Sequence, residues 1–506
     1  MYVNSIKLIG TEAGLGVRSE GLISATESVE LTADGRIRLK DTLTAGQLAL
    51  RSESGDVLLD GTTFGESVHV EAGGSVGNAG TLSAETQINL QVQAQIENQG
   101  TILTDGNITL AGAVLDNQAE AAIQANQLSA QVDDIVNTGT LVGQSLVLQG
   151  TQLTNAGHIQ GDDITIEANI HQTDGTLYQA SAEGSLTITN AQTQIEGGLL
   201  AHEGSANVAA TEVINNSNWL ANGALNIDAQ SVVNTGTLQA ENDFTVSAQS
   251  LQNSGNVLLN SDMGSTFTIS ESFNNDDGVL QSAAELNIET QDISNQNGQI
   301  LLLEEDGTSS LTATNSLDNA NGQILSNGQI QLGANTFNNA DGVVNASQVS
   351  INTETLSNQA GQITAKQLDI NAQTLNNQGG TLAAERLSLS GSELNNQSGV
   401  IVAQRFGEAP DEGDAEAPAE EAQDAVSLNL DFTAQINNSD GGVIESQSQD
   451  FAFVTEHLNN NGGRIALIGT GVLSVEALTL LNDAGTIIAN HTALDVHTIN
   501  NDFGSL

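Results

Sequence analysis

The residues best suited to acid–base chemistry in this sequence are three pairs of adjacent aspartates, Asp133/Asp134, Asp162/Asp163 and Asp276/Asp277. Two carboxylates several ångströms apart are sufficient to hydrolyse a glycosidic bond. Adjacent residues of a strand, however, point to opposite faces, and Asp before Gly is typical of a turn. We therefore predict no catalytic residue and no enzymatic activity. A β-helical polysaccharide hydrolase is kept as the alternative function.

Other catalytic and metal chemistry has less support. A polysaccharide lyase needs a basic side chain beside its acids, and no Lys or Arg occurs between Arg51 and Lys366. There is no cysteine, and neither a calcium-binding nonapeptide nor an EF-hand loop is present. The histidines lack the spacing of metal ligands, so we predict no metal site and no cofactor. They are His69, His158, His171, His202, His457, His491 and His497.

The charge of the chain excludes several partners. It holds 62 acidic against 10 basic residues, a formal net charge of -52. Phosphate binding requires clustered basic side chains, so we predict no nucleic-acid partner. An anionic membrane surface would be repelled for the same reason. No apolar stretch approaches the roughly eighteen residues of a membrane span, so no membrane-spanning segment is predicted.

The elements that carry these side chains are short strands in a repeat. From Leu368 to Leu389, apolar and polar residues alternate over four to six positions, an Asn and a Gly interrupt, and the alternation resumes. This Asn-x-x-Gly or Asn-x-Gly punctuation recurs about every twenty residues, which excludes the longer helical repeats and propeller blades. The sequence predicts an all-β fold, a right-handed parallel β-helix (β-solenoid) of about 20-residue coils that forms one domain over residues 1–506.

The recurring Asn is the strongest candidate for a structural role. Asn358, Asn377 and Asn396 lie nineteen residues apart. Identical Asn side chains on successive coils can hydrogen-bond in a ladder. Asn also tolerates the left-handed conformation at a sharp corner, and the Gly after it is expected to supply positive φ.

One segment breaks the repeat. Residues 407–425 hold both prolines and eight acidic residues but no basic residue. Such a composition cannot bury a core, and we predict a disordered acidic loop inserted in the solenoid, with capture of a ligand or partner as the alternative role.

Aromatic residues are few, and two roles are open to them: adhesive anchors on the surface, or fillers of the core and its corners. We predict the second role for Trp219, Phe244, Phe267 and Phe337.

Two motifs resemble a known family. The opening phrase Ile6-Lys7-Leu8-Ile9-Gly10-Thr11-Glu12 is similar to the segment after the secretion domain in filamentous haemagglutinin and contact-dependent growth inhibition exoproteins. Units such as Leu356-Ser-Asn358-Gln-Ala-Gly361-Gln-Ile363 resemble haemagglutinin repeats. The resemblance covers nearly the whole chain. The opening phrase is fairly specific, whereas the repeats are shared with many β-solenoids.

The resemblance implies a function. Members of this family are exported by two-partner secretion through an outer-membrane transporter and stand on the surface of a Gram-negative cell. There they adhere to a receptor or glycan of a target cell, or present a toxin to it. The sequence lacks the Asn-Pro motif of the secretion domain and the Val-Glu-Asn-Asn boundary of a toxin, so we expect the extended shaft of such an extracellular exoprotein. Another structural solenoid, such as a phage tail fibre, is a further alternative.

Overall fold

The computed structural model describes residues 2–10, 12–406 and 426–506. Over these residues the secondary structure consists of 43 β-strands and contains no helix. The chain divides into two compact units, a first unit of Met1–Val246 and a second unit of Ser247–Leu506. The prediction of one domain over 1–506 stays a prediction. Strand β24 (Phe244–Asn253) contains the boundary between the units in the sequence.

The other strands of the first unit are β1 (Tyr2–Gly10), β2 (Val17–Ser19), β3 (Ile23–Ala33), β4 (Ile37–Leu39), β5 (Leu43–Ser52), β6 (Val57–Leu59), β7 (Thr62–Ala72), β8 (Val76–Asn78), β9 (Thr81–Val92), β10 (Gln95–Asn98), β11 (Thr101–Thr104), β12 (Asn107–Asn117), β13 (Ala122–Asn137), β14 (Thr140–Asn155), β15 (His158–Gln172), β16 (Thr176–Gln179), β17 (Ser185–Thr189), β18 (Gln192–Ile195), β19 (Leu199–His202), β20 (Ser205–Asn215), β21 (Asn218–Ala221), β22 (Leu225–Asn234) and β23 (Thr237–Ala240).

Those of the second unit are β25 (Asn256–Leu259), β26 (Ser265–Asn274), β27 (Val279–Ser282), β28 (Leu286–Ser294), β29 (Gln299–Leu302), β30 (Thr308–Asp318), β31 (Gln323–Ser326), β32 (Gln329–Asn338), β33 (Val343–Ser357), β34 (Gln362–Asn376), β35 (Thr381–Asn395), β36 (Val400–Ala403), β37 (Ser427–Asn437), β38 (Val443–Ser446), β39 (Phe451–Asn459), β40 (Arg464–Leu467), β41 (Val472–Leu481), β42 (Thr486–Ile488) and β43 (His491–Asn500).

Strands of successive coils pair in parallel, and this holds inside each unit. In the first unit, β12 pairs with β13 so that Ile108 lies beside Leu128, twenty residues further along the chain. In the second unit, β33 pairs with β34 and places Leu356 beside Leu375, nineteen residues away. Equivalent residues of successive coils therefore lie beside one another, and they are often of the same type. The predicted all-β parallel solenoid with coils of about twenty residues is confirmed.

Strand β34 shows how the sequence bends the coil. Its inward residues alternate with outward ones, as in any strand with one buried face. Twice, two consecutive residues face outward instead, at Lys366-Gln367 and at Gln373-Thr374. These two outward-facing pairs mark the bends of the coil, because the inward and outward alternation shifts by one residue where the strand changes direction. The inward set is Ile363, Ala365, Leu368, Ile370, Ala372 and Leu375.

The core is almost entirely aliphatic, and the four aromatic residues singled out in the sequence belong to it. The side chains of Trp219, Phe244, Phe267 and Phe337 are all buried, with at most 3% of their surface exposed. The prediction that they fill the core is confirmed.

The predicted turn chemistry is wrong in one respect. After Asn358 the positive φ belongs to Ala360, at 54°, and neither Asn358 nor Gly361 is among the described residues with positive φ. Gly361 is needed for a different reason, since a Cβ there would clash with the backbone oxygen of Asn339 and crowd Oδ1 of Asn358. The same division holds at Ser398, whose φ is 55°. The Gly thus allows close stacking of the turns, while the residue before it adopts the left-handed conformation.

The acidic loop predicted at 407–425 lies outside the described residues. The residues on either side of it are placed, and Asn396 donates directly to Asn438, 42 positions away. Other steps between consecutive Asn side chains span 18 to 24 residues. Asn396 and Asn438 are therefore neighbours in the stack of coils.

Candidate functional site

The three predicted Asn residues come together in one buried row. Asn358 Nδ2 donates to Asn377 Oδ1 at 2.7 Å, and Asn377 Nδ2 donates to Asn396 Oδ1 at the same distance. All three side chains are fully buried. Each Nδ2 also donates to backbone oxygens, for example from Asn358 to Gly361 and Thr381, both at 3.2 Å. One side chain thereby satisfies polar groups of its own turn and of the next coil.

This row, hereafter the asparagine ladder, runs through the described part of the second unit. Every consecutive pair is joined by an Nδ2-to-Oδ1 hydrogen bond of 2.6 to 2.8 Å. Its members are Asn253, Asn275, Asn295, Asn319, Asn339, Asn358, Asn377, Asn396, Asn438, Asn460, Asn482 and Asn501.

The first unit has the same ladder with an interruption. Asn78, Asn98, Asn117, Asn137 and Asn155 are joined by bonds of 2.8 to 2.9 Å, and Asn215 is joined to Asn234 at 2.7 Å. Between these two stretches the register places two other side chains at the ladder position.

Those two side chains are Gln172 and Ile195. Gln172 donates to Gly175 O at 3.1 Å, but its buried Oε1 has no hydrogen-bond partner among the described residues. Ile195 offers no polar group at all. The coils between Asn155 and Asn215 therefore lack the side-chain ladder.

The interrupted coils carry a second buried polar pair at another corner. In neighbouring coils this inward position holds small residues such as Gly161 and Ala221, but the two coils between them hold Gln179 and His202. Gln179 Nε2 donates to Asp162 O at 2.6 Å. Its Oε1 accepts the backbone N–H of Gly204 at 2.7 Å. Gln179 thus connects backbone groups of successive turns where the ladder is missing.

His202 is the one buried histidine of the described chain. Its Nδ1 lies 2.8 Å from Gly204 O, and its Nε2 has no partner among the described residues. Burial lowers the pKa of His202, because the protonated ring would lose its hydration; the bond to Gly204 O and the charge of Glu203 act in the opposite direction. Burial therefore favours the neutral ring, and the short distance to the carbonyl oxygen places its proton on Nδ1.

Three of the six paired aspartates take part in turns or in hydrogen bonds of the fold. Asp163 Oδ1 accepts the backbone N–H of Ser185 at 2.9 Å. Asp276 Oδ1 accepts from Ser294 Oγ at 2.5 Å and from the N–H of Gln296 at 2.7 Å. Asp277 occupies a left-handed position with φ of 58°. The carboxylates of Asp276 and Asp163 are thus already used by hydrogen bonds within the fold.

A shallow groove of about 520 Å³ brings Asp105 and Asp162 to one surface, among amide side chains such as Gln124 and Gln144. The strand before Asp105 pairs with the strand of Ala125. Two further in-register steps lead to Gly143 and Gly161, so the two aspartates lie three coils apart. With strands spaced at about 4.8 Å, that separation is roughly 14 Å. Paired glycosidase carboxylates lie about 5 to 9.5 Å apart, so these two cannot act as such a pair.

No group of three or more His, Asp or Glu side chains in the described residues could hold a metal ion. The described part of the chain also contains no helix long and apolar enough to cross a membrane. The predicted absence of catalytic, cofactor and metal residues stays a prediction.

Comparison with known proteins bears on the repeats themselves. The haemagglutinin repeat family matches residues 1–44, 179–231, 220–266, 264–308, 305–367 and 348–406, which is more than half of the chain. The chain belongs to the haemagglutinin repeat family. The resemblance of the repeat units noted in the sequence is thereby confirmed.

Relatives of this haemagglutinin-repeat chain are much longer proteins. It is 26% identical over 234 residues to the 16S rRNA endonuclease CdiA of Enterobacter cloacae subsp. cloacae, an alignment of 43% of the chain and 7% of that protein. It is 27% identical over 237 residues to toxin CdiA of Escherichia coli, covering 41% and 7%. A deoxyribonuclease CdiA of Dickeya dadantii is 31% identical over 115 residues, covering 22% and 3%. The chain thus aligns with less than a tenth of each of these relatives. No solved structure matches it.

Sequence reasoning missed the interruption of the ladder and the buried His202. A signal for the interruption exists, because the Asn and Gly punctuation stops after Asn155 and Gly157 and resumes at Asn234 and Gly236. No comparable signal marks His202, whose burial depends on which side of the strand faces inward.

Proposed function

We propose that the chain is part of the extended shaft of a secreted, haemagglutinin-like exoprotein on the surface of a Gram-negative cell. The observation that carries this proposal is the stacking of this chain's haemagglutinin repeats into parallel coils. Its similarity to proteins whose names include a toxin supports the proposal. A stack of this kind is a spacer, because each coil contacts only its neighbours and length is gained by adding coils. The chain itself would be non-enzymatic, and any toxin activity would belong to other parts of the parent protein.

The same proposal names two partners. An outer-membrane transporter would export the chain by two-partner secretion, and a receptor or glycan on the target cell would be reached by the distal part of the protein. Absence of cysteine suits this route, since a disulfide formed in the periplasm would obstruct passage of an unfolded chain.

Export can be tested with a fusion. The chain is placed behind the secretion domain of a two-partner exoprotein and expressed with its transporter in a Gram-negative host. We expect the repeats to be accessible to added protease on intact cells, and the same fusion without transporter to be protected. Protected repeats in the presence of a functioning transporter would contradict the proposal.

The hydrolase alternative has its own test. Wild type and the double variant D162N/D163N are incubated with neutral and acidic polysaccharides, and reducing ends are measured. We expect neither protein to release sugar. Release by the wild type and not by the variant would replace the shaft proposal with an enzymatic function.

A further inference from the structure

The outward-facing surface of the second unit changes character near its last coils. One row of exposed positions is in register through ten coils, and it is polar except at a glycine and at one valine. The row is Glu289, Thr312, Gly333, Asn352, Asn371, Ser390, Asp431, Val454, Glu476 and Asp495. Val454 is 57% exposed. A large aliphatic side chain at this position departs from the pattern that keeps the rest of the row compatible with water.

A second exposed aliphatic side chain lies beside the first. Leu478 follows Ala477, which is in register with Thr455 in the coil of Val454, and it is 54% exposed. Val454 and Leu478 line one groove of about 710 Å³ together with Ala477 and Val496. The groove therefore has an apolar floor that spans successive coils.

Four acidic side chains also line the groove. Asp431, Glu456, Glu476 and Asp495 line it, and Glu476 is directly in register with Asp495 in the next coil. Their separation along the stack is about 4.8 Å between strands, close enough for the two charges to repel. None of the four carboxylates has an ion-pair or side-chain hydrogen-bond partner in the described part of the chain. The lining includes His497 but no Lys or Arg.

We propose that this groove docks a cationic, amphipathic peptide segment of another protein. Its Lys or Arg side chains would pair with the four carboxylates, and its apolar side chains would cover Val454 and Leu478. Charge complementarity selects this occupant, because the same carboxylates repel nucleic acids and anionic lipids. A glycan is disfavoured because none of the residues that line the groove is Trp, Tyr or Phe. The proposal goes beyond the function of a spacer and does not depend on the route of export.

The test must separate docking from diffuse attraction to a chain of charge -52. Two synthetic peptides of equal length and charge are used, one alternating Lys and Leu and the other alternating Lys and Ser. Binding to the full chain is measured in 0.5 M NaCl, where a Debye length of about 4 Å suppresses diffuse attraction. We expect the Lys/Leu peptide to bind at least tenfold more tightly than the Lys/Ser peptide.

Variants then locate the binding. V454N/L478N should weaken binding of the Lys/Leu peptide at least tenfold. The matched control L103N/L303N, which removes two exposed leucines elsewhere, should bind within twofold of wild type. All these side chains are more than a third exposed, so the variants should keep the wild-type unfolding midpoint. Equal affinity of V454N/L478N and wild type would show that the peptide binds elsewhere and would overturn the proposal.

A charge variant keeps the test independent of the apolar substitutions. At 0.15 M NaCl, E476Q/D495N should lower the affinity for the Lys/Leu peptide more than fivefold. D133N/D134N, which removes two exposed charges in the first unit, should change this affinity less than twofold. An equal loss in both variants would assign the binding to net charge alone and would also overturn the proposal.

Discussion

Asn377 donates its side-chain amide to Oδ1 of Asn396 at 2.7 Å, and neither side chain reaches solvent. The same Nδ2 donates to Gly380 O at 3.2 Å and to Val400 O at 3.3 Å. An unsatisfied buried polar group costs about 1 to 3 kcal/mol. Replacing this one side chain would leave several such groups without a hydrogen-bond partner. We infer that the ladder is a stabilising element rather than a binding site.

The first prediction concerns this element. Asn377→Leu should destabilise the second unit by about 2 to 4 kcal/mol, because Asn396 Oδ1 and two backbone oxygens lose a donor. The control is Asn371→Leu, an exposed position whose amide bonds Asn352 Oδ1 at 3.1 Å, and it should change stability by less than about 0.5 kcal/mol. Urea unfolding followed by circular dichroism measures both. Equal effects would mean that the ladder does not stabilise the coils.

The second prediction tests whether close stacking of the turns or a positive φ makes glycine necessary in the turn. Gly380→Ala should be the more damaging of two glycine substitutions, since its Cβ would clash with Asn358 O in the stacked turn. At Gly462, φ is 66° and nothing lies within 4 Å of an added Cβ. Gly462→Ala should therefore lower the free energy of unfolding by only about 1 kcal/mol. Thermal unfolding midpoints of the two variants make the comparison. A larger loss in Gly462→Ala would restore the view that positive φ alone requires glycine here.

The third prediction concerns acid. Burial lowers the pKa of His202, so the unfolded chain binds a proton at a higher pH than the folded chain. Stability should therefore fall as pH decreases below about 6.5, the ordinary value for histidine, and this residue should contribute no slope above about pH 7.5.

His202→Gln removes the titrating ring and keeps a polar side chain like that of Gln179 in the preceding coil. Its unfolding midpoint should drop less than that of wild type between pH 7 and pH 5. Both proteins should show parallel behaviour between pH 7.5 and 8.5. A wild-type slope below pH 6.5 that persists in the variant would assign the acid sensitivity to other groups.

The fourth prediction concerns salt. No Lys or Arg occurs between Arg51 and Lys366. Arginines pair with Glu53, Asp56, Asp60 and Glu71 at the start of this stretch, and the many carboxylates that follow have few cations to offset their mutual repulsion. Added NaCl shortens the Debye length from about 30 Å at 0.01 M to about 3 Å at 1 M and screens this repulsion. The midpoint of thermal unfolding should rise over that range. A flat or falling midpoint would show that the carboxylates are already neutralised by bound cations or by raised pKa values.

The parallel solenoid can be predicted from the sequence alone. Alternating apolar residues, interrupted by Asn and Gly at a period of about twenty, fit few other architectures, and identical spacing identified Asn358, Asn377 and Asn396 as equivalent positions. This works because a repeat brings equivalent residues into register, so spacing along the chain converts directly into neighbourhood in space.

The conformation and contacts of those positions, in contrast, follow from the three-dimensional fold. The left-handed conformation belongs to Ala360 and not to Asn358, because the conformation of a turn follows from the backbone bonds between stacked coils. In the same way, the burial of His202 beside Gln179, and the exposure of Val454 beside Leu478, depend on where each strand bends. Bends shift the alternation by one residue, and a shift of one residue exchanges the inner and outer faces of a strand.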